Sequence, residues 1–400
     1  MRSLRQLREP AAPPEEVPGA DPADPDAQPF GGVKVEAALG EGVTITAADD
    51  SLSLNIRARI QLRFTQLEHE EDGAETSSSS SFEVRRARLL LRGHAMNRDL
   101  TYYIQLGFSN QDTEPDLRLP LRDAYVTWTR FRDANVRFGQ MKAPYGLQRI
   151  ISSSALQMAD RSVVTNELNL DRDVGVTLRS DDLFGLKGRL AYAVGVFGGD
   201  GRNRLSDAGG VMPVVRAVLR PMGEFDDDVE ADHDRSPTPH AALGLSAAYN
   251  NNSNRDRSTL GNVTRGRTSY GHVGADFMLK WRGLSLQSEV MWRNAADDVM
   301  ETEVDGMTIR ERTRSAVGAY MQAGTMLGPM VEVVVRYSEL WPLNSGIPDL
   351  QHTRELGGGI NFYLFHHSLK LQTDYFCIVT NDRWRDGSKH QVRVQFQLYL

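Results

Sequence analysis

Residues 52–65 read LSLNIRARIQLRFT, and every second position is apolar. Leu52, Leu54, Ile56, Ala58, Ile60, Leu62 and Phe64 alternate with Ser53, Asn55, Arg57, Arg59, Gln61, Arg63 and Thr65. A strand turns successive side chains to opposite faces, so this stretch makes one greasy and one wet face. A helix would instead set Arg57 beside Ile60. The C-terminal segment repeats the pattern, with Val392, Val394, Phe396, Leu398 and Leu400 opposed to Gln391, Arg393, Gln395, Gln397 and Tyr399.

Fourteen more strand-like segments lie between, at 82–93, 100–109, 121–131, 135–142, 173–180, 186–197, 213–220, 240–250, 268–281, 284–293, 314–325, 330–340, 354–365 and 368–379. Most approach the roughly 9–11 residues that a tilted strand needs to cross a bilayer. Long connections (66–81, 110–120, 143–172, 198–212, 251–267, 294–313, 341–353, 380–389) alternate with mostly short ones. Only 221–239, an acidic stretch, is long where a short turn is due. This alternation is the layout of an outer-membrane barrel with both termini at its periplasmic, short-turn end. Trp128, Tyr192, Tyr249, Trp281, Trp292, Tyr337 and Phe362 share the aliphatic phase of their strands, where an interfacial girdle belongs. A soluble sandwich of this length would divide into domains of about 100 residues, and no repeated linker does so. The expected fold is all-β, a transmembrane antiparallel β-barrel of sixteen strands over residues 46–400. Its longest connection, 143–172, is expected to fold inward as a constriction loop.

Residues 1–45 read as a Pro- and acid-rich disordered tail or linker, with order beginning near Val33. No apolar core follows Arg2, Arg5 and Arg8, so no signal peptide is visible there. No apolar run reaches the about 18 residues of a transmembrane helix. Cys377, the single cysteine, falls on the lipid phase and excludes an internal disulfide or a Cys-based zinc site.

The 400 residues carry 46 Lys+Arg and 53 Asp+Glu, a net charge of −7 that excludes a generally basic nucleic-acid-binding chain. The acid is concentrated. Residues 1–30 hold six acids against three bases, and 224–235 hold seven against Arg235, so the remainder is weakly basic. The wet phase of the strands is more so. It carries Arg57, Arg59, Arg63, Arg86, Arg88, Arg92, Arg137, Arg179, Lys187, Arg189, Arg216, Arg220, Lys280, Arg336, Lys370 and Arg393 against Asp123, Asp276, Glu289, Glu332 and Asp374. If the aliphatic phase faces lipid, this phase faces the lumen. The planar fork of Arg donates two parallel hydrogen bonds to an oxyanion, and a row of forks can hand an anion along. Lumen arginines that only pair with loop carboxylates are the competing reading.

NIRARIQLRF (55–64), FEVRRARLLLRG (82–93), LRDAYVTW (121–128), VRFGQMKAPYGLQRIISSS (136–154) and LDRDVGVTLRS (170–180) resemble the phosphate-selective porins O and P of Gram-negative outer membranes. The stretch FGQMKAPYGL is the most specific, since in that family a similar run leads from the fifth strand into an inward loop. The resemblance implies a sixteen-stranded, homotrimeric, anion-selective channel in the outer membrane, with phosphate or polyphosphate as first candidates. It implies constriction roles for Arg59 and for the pair Arg85 and Arg86. Strand alternation, however, points Arg86 inward and Arg85 outward. Asp123 would sit opposite the anion site, Arg149 would replace a loop lysine, and Ser152 and Ser153 would offer hydroxyls. An anion well is expected where Arg149 faces Arg59 and Arg86, with Arg57, Arg63, Arg88 and Arg92 lining the approach. Two features depart from the family: the six lysines are scattered, and Leu400 stands where a terminal Phe is usual.

No spacing selects a catalytic set, no Gly-rich phosphate loop opens a helix, and His366-His367 falls in a tight turn, so no enzyme, metal or cofactor is expected. The leading expectation is passive diffusion of small anions, with outer-membrane lipid and like subunits as partners. A general diffusion or sugar porin, and a structural or adhesive barrel with a blocked lumen, remain the alternatives.

Overall fold

A computed structural model of the chain describes residues 32–69, 77–113, 117–205, 209–381 and 387–400. Each of the sixteen expected segments forms a strand. A hairpin of β1 (Val33–Ala38) and β2 (Gly42–Ala47) precedes them. The first barrel strands are β3 (Leu52–His69), β4 (Ser77–Ala95), β5 (Asn97–Gly107), β6 (Leu121–Trp128), β7 (Asn135–Lys142) and β8 (Arg172–Ser180). Next come β9 (Leu190–Phe197), β10 (Met212–Leu219), β11 (His240–Arg257), β12 (Leu260–Trp281) and β13 (Leu284–Ala295). A small hairpin of β14 (Val299–Val304) and β15 (Met307–Arg312) lies outside the barrel sheet. The barrel ends with β16 (Ala316–Met326), β17 (Val331–Pro342), β18 (Thr353–Phe365), β19 (Leu369–Thr380) and β20 (Lys389–Tyr399).

Every barrel strand pairs antiparallel with its neighbour, and β20 pairs with β3 to close a sixteen-stranded barrel. Closure leaves no open edge, as a membrane demands. The seam ends where Ala58 and Leu400 exchange backbone hydrogen bonds of 3.2 and 2.8 Å. Below that point β2 takes over as the partner of β3, pairing Val43 with Ile56 through Thr46 with Ser53. Residues 33–45, grouped from sequence with the tail although order was expected from near Val33, thus carry β1 and most of β2. Residues 1–31 of that tail lie outside the described residues.

Alternation holds along the strands. Ser53, Asn55, Arg59, Gln61 and Arg63 are buried inside, whereas Leu52, Ile60 and Leu62 are exposed on the outer surface. Trp128, Tyr249, Trp281, Trp292, Tyr337 and Phe362 also lie exposed outside, as a lipid-facing girdle should. Among the β-bulges that interrupt the alternation, two change the inner face of β4 and β6. Gln61 pairs with Arg86 but Leu62 pairs with Val84, which leaves Arg85 as the extra residue. Gln105 pairs with Asp123 but Leu106 pairs with Leu121, which leaves Arg122 as the second. A bulge shifts the pleat by one residue, so both arginines join the inner face. The outward reading of Arg85 fails for this reason.

Some long connections are shorter than the sequence suggests. β11 and β12 continue as a hairpin through 251–267, and β14–β15 occupies most of 294–313. Lys187 and Arg189 are exposed in the turn before β9 and do not belong to the inner face.

Candidate functional site

In β7, the strand that leads into the connection 143–172, Gly139 has a φ of +130°, and a Cβ there would stand 2.2 Å from the Ala124 carbonyl oxygen. Only glycine fits that approach, which accounts for the Gly in FGQMKAPYGL. A second glycine, Gly146 with φ +73°, turns the chain into α1 (Leu147–Ile150). The loop continues to α2 (Val163–Leu168), capped by the Ser162 hydroxyl accepting from Thr165 N.

Packing holds the loop inside. Tyr145, Val164, Leu168 and Leu170 bury against Phe197, Met212, Met291, Tyr320 and Leu340 of the wall, and Leu147, Ile151 and Leu156 against Met278. Inner positions of β9 to β17 thus carry apolar side chains that the loop covers. Ion pairing adds to this. The Glu167 carboxylate accepts from Arg293 at 2.6 Å, Arg314 at 2.9 and 3.0 Å, and Arg257 at 3.2 Å. Burial alone would raise the Glu167 carboxyl, but Arg293, Arg314 and Arg257 outweigh it and hold it down at about 2.

The acidic connection 221–239 also folds into the barrel. Buried Glu230 accepts from the backbone N–H of Gln157 at 2.7 Å and from the side-chain amides of Gln148, Gln287 and Gln322 at 2.8–3.1 Å. Phe225 and Val229 pack on the apolar side of the constriction loop. This segment and the loop fill much of the interior and leave a cavity of about 1000 Å³. Side chains of β3 to β8 line one wall, and Ser152–Ala155, Asp160 and Arg161 line the facing side.

Arg59, buried behind this lining, reaches the two serines from the wall. Arg59 Nη1 donates to Ser152 Oγ at 3.3 Å and Nη2 to Ser153 Oγ at 3.2 Å. Its Nε is buried without a hydrogen-bond partner, and among the described residues Arg59 makes no ion pair. Arg88 also donates to Ser153 Oγ, at 3.3 Å.

Other arginines are neutralised. Arg88 and Arg122 hold Asp112, which also accepts from the Ser109 hydroxyl. Burial favours the neutral Asp112 acid, but Arg88, Arg122 and Ser109 prevail and hold it at about 2. Asp123 accepts a two-pronged pair from Arg172, Nε at 3.0 Å and Nη2 at 2.9 Å. Arg172 reaches on to Asp171 at 3.0 Å, and Asp171 pairs with Arg149. Arg149 therefore closes an Asp123–Arg172–Asp171–Arg149 chain instead of standing against Arg59 and Arg86. Arg57 pairs with Glu41 at the tip of the β1–β2 hairpin, and Arg92 lies 3.9 Å from the same carboxylate.

Arg63, Arg85, Arg86 and Arg393 converge on Asp160 of the loop, at 2.5, 3.1, 3.7 and 3.6 Å. Burial opposes its ionisation, yet Arg63, Arg85, Arg393 and Arg86 keep the carboxyl well below the usual range. The alternation missed Arg85 and Arg122 because bulges are invisible to a period of two. Their charge was the available signal, since Arg on a lipid face costs about 2–4 kcal/mol at the midplane.

A closed sixteen-stranded barrel, girdled outside and narrowed by an inward loop, defines an outer-membrane porin. The chain belongs to the phosphate-selective porin O and P family, whose model matches residues 54–400. Solved structures share the fold. The outer membrane channel DcaP of Acinetobacter baumannii superposes with a TM-score of 0.55 at 14% identity, covering 88% of this chain and 98% of its own. The anion-selective porin from Comamonas acidovorans gives 0.55 at 12% identity, covering 87% and 100%. A trimer form of OmpT from Vibrio cholerae gives 0.51 at 10% identity, covering 88% and 100%. No curated protein matches the sequence.

Proposed function

We propose that this porin passes small anions, phosphate or polyphosphate first among them, and that Arg59 with Ser152 and Ser153 forms its selective step. The observation that carries this reading is the buried Arg59 guanidinium. It is held by two hydroxyls, is free of any ion pair among the described residues, and keeps an unpartnered Nε. A passing oxyanion can exchange with the serine hydroxyls, which donate as readily as they accept. Arg86 and Arg88 flank the step, while Asp112 and Asp160, which pair with them, keep it from becoming a trap. The termini and short turns face the periplasm in this reading. A homotrimer is proposed by likeness to the trimeric OmpT.

A general diffusion porin is the second reading. The pairing of Arg88, Arg122, Arg149 and Arg172 with carboxylates favours it, because paired charges leave a weaker net field. Planar-bilayer reversal potentials in a KCl gradient, followed by phosphate titration of the chloride current, separate the two. Anion preference with millimolar phosphate block supports the first reading. Cation preference, or no block, refutes it.

A further inference from the structure

The four-arginine cluster around Asp160 is built like an oxyanion site, but a carboxylate of the chain itself fills it. Arg63 comes from β3, Arg85 and Arg86 from the bulge of β4, and Arg393 from β20. Among the described residues the other acids within 4 Å of these guanidiniums are Glu83, at 3.8 Å from Arg63 and 3.9 Å from Arg85, and Asp374, which chelates Arg393. Four positive charges therefore face three negative ones, and Asp160 is the one that comes from the loop.

The main chain beside Asp160 is held by contacts of its own. Arg63 Nη2 donates to the Ala159 carbonyl at 2.7 Å, Arg336 Nη1 to the Asp160 carbonyl at 2.8 Å, and Ala159 N donates to Asp374 at 2.9 Å. These contacts pin the main chain on both sides of the residue and use no atom of its carboxyl group. The cluster also opens to the lumen, because Arg85, Arg86 and Asp160 all line the cavity. An anion in the pore reaches two of the forks that Asp160 occupies, those of Arg85 and Arg86.

We infer that Asp160 is a resident anion: a tethered carboxylate that occupies an oxyanion site in the pore wall and thereby sets how tightly the channel holds its solute. This rests on the anion-channel reading above. A tethered competitor acts at an effective concentration in the millimolar range or above. It keeps the cluster from capturing phosphate and leaves Arg59 and its serines as the weaker, conducting step. Two opposed demands meet here, since conduction needs both attraction and release.

The test is the concentration of inorganic phosphate that halves the chloride current of the full chain in planar bilayers, for wild type, Asp160→Asn and Asp160→Glu. Neutralising Asp160 is expected to lower the half-blocking concentration about tenfold, equivalent to about 1.4 kcal/mol. Asp160→Glu, which restores the charge, is expected to return it towards the wild-type value. Asp160→Ser carries the same expectation as Asp160→Asn if the amide variant does not assemble. An unchanged half-blocking concentration in a conducting variant overturns the inference. So does a larger size limit for neutral sugars in liposome swelling without tighter phosphate block, because Asp160 would then be only a loop anchor. Wild-type current read first separates the two claims: without anion preference the channel reading itself fails, whatever the variants do.

Discussion

Replacing Arg59 by Gln removes one positive charge from the proposed selective step and keeps a polar side chain facing Ser152 and Ser153. Among the described residues no carboxylate pairs with Arg59, so its charge has no direct counter-ion and is felt in the cavity across Ser152 and Ser153. At about 5 Å that charge is worth about 0.8 kcal/mol to a monovalent anion in bulk water, and about 3 kcal/mol at an effective dielectric constant of about 20. A value of about 1.4 kcal/mol lies inside this interval and means a tenfold loss of anion at the constriction. The assay is the reversal potential across a bilayer in a KCl gradient, measured near 0.1 M and again near 1 M. Screening shortens from about 10 Å to about 3 Å between those salts, so the shift towards cations is expected to be larger at the lower one. A folded variant whose reversal potential matches wild type at low salt refutes the assignment of Arg59. A shift of equal size at both salts refutes the electrostatic account of it.

Three more outcomes are expected. Glu167→Gln breaks a buried cluster whose loss costs about 3–5 kcal/mol, and should free α2, raising the neutral-sugar size limit in liposome swelling. The Glu167 carboxyl sits at about 2 against an ordinary 4.5, so its contribution is complete above about pH 4.5 and is lost as pH falls through about 2; acid-induced loosening of the loop, read by the same swelling assay, should grow below about pH 4.5 and be complete near 2. Glu230→Ala strands a backbone N–H and three side-chain amides, at about 1–3 kcal/mol for a buried group left unsatisfied, and should detach the acidic segment and increase single-channel conductance. Gly139→Ala drives a Cβ to 2.2 Å from the Ala124 carbonyl oxygen, and should reduce the yield of heat-modifiable folded barrel on a gel.

The barrel was legible in the sequence because the bilayer imposes a local rule. Each strand must show lipid an apolar side chain at every second position, so strand number and phase can be read one segment at a time. Residues 52–65 and 391–400 carried that rule, and the structure places them side by side at the seam. The site was legible only in part. The family resemblance singled out Arg59, Ser152 and Ser153 but not their contact with one another, and the alternation sent Arg85 outward and overlooked Arg122, since one inserted residue reverses the phase. The hairpin of residues 33–47 was hidden by its Pro- and acid-rich neighbourhood, and its pairing with β3 and the Glu41–Arg57 contact join residues that are close only in the fold.

Sequence by itself determined which face of each strand meets lipid and how many strands close the barrel, because both follow from neighbours two residues apart and from turn lengths. Tertiary structure alone decided which lumen charges survive. Arg85 and Asp160 are 75 residues apart, Arg59 and Ser153 are 94, and Glu167 and Arg293 are 126. Whether an arginine is a free donor or half of an ion pair depends on where the folded loop sets its carboxylates. That placement comes from loop packing on inner-wall side chains such as Phe197, Met291 and Tyr320, which no local period encodes.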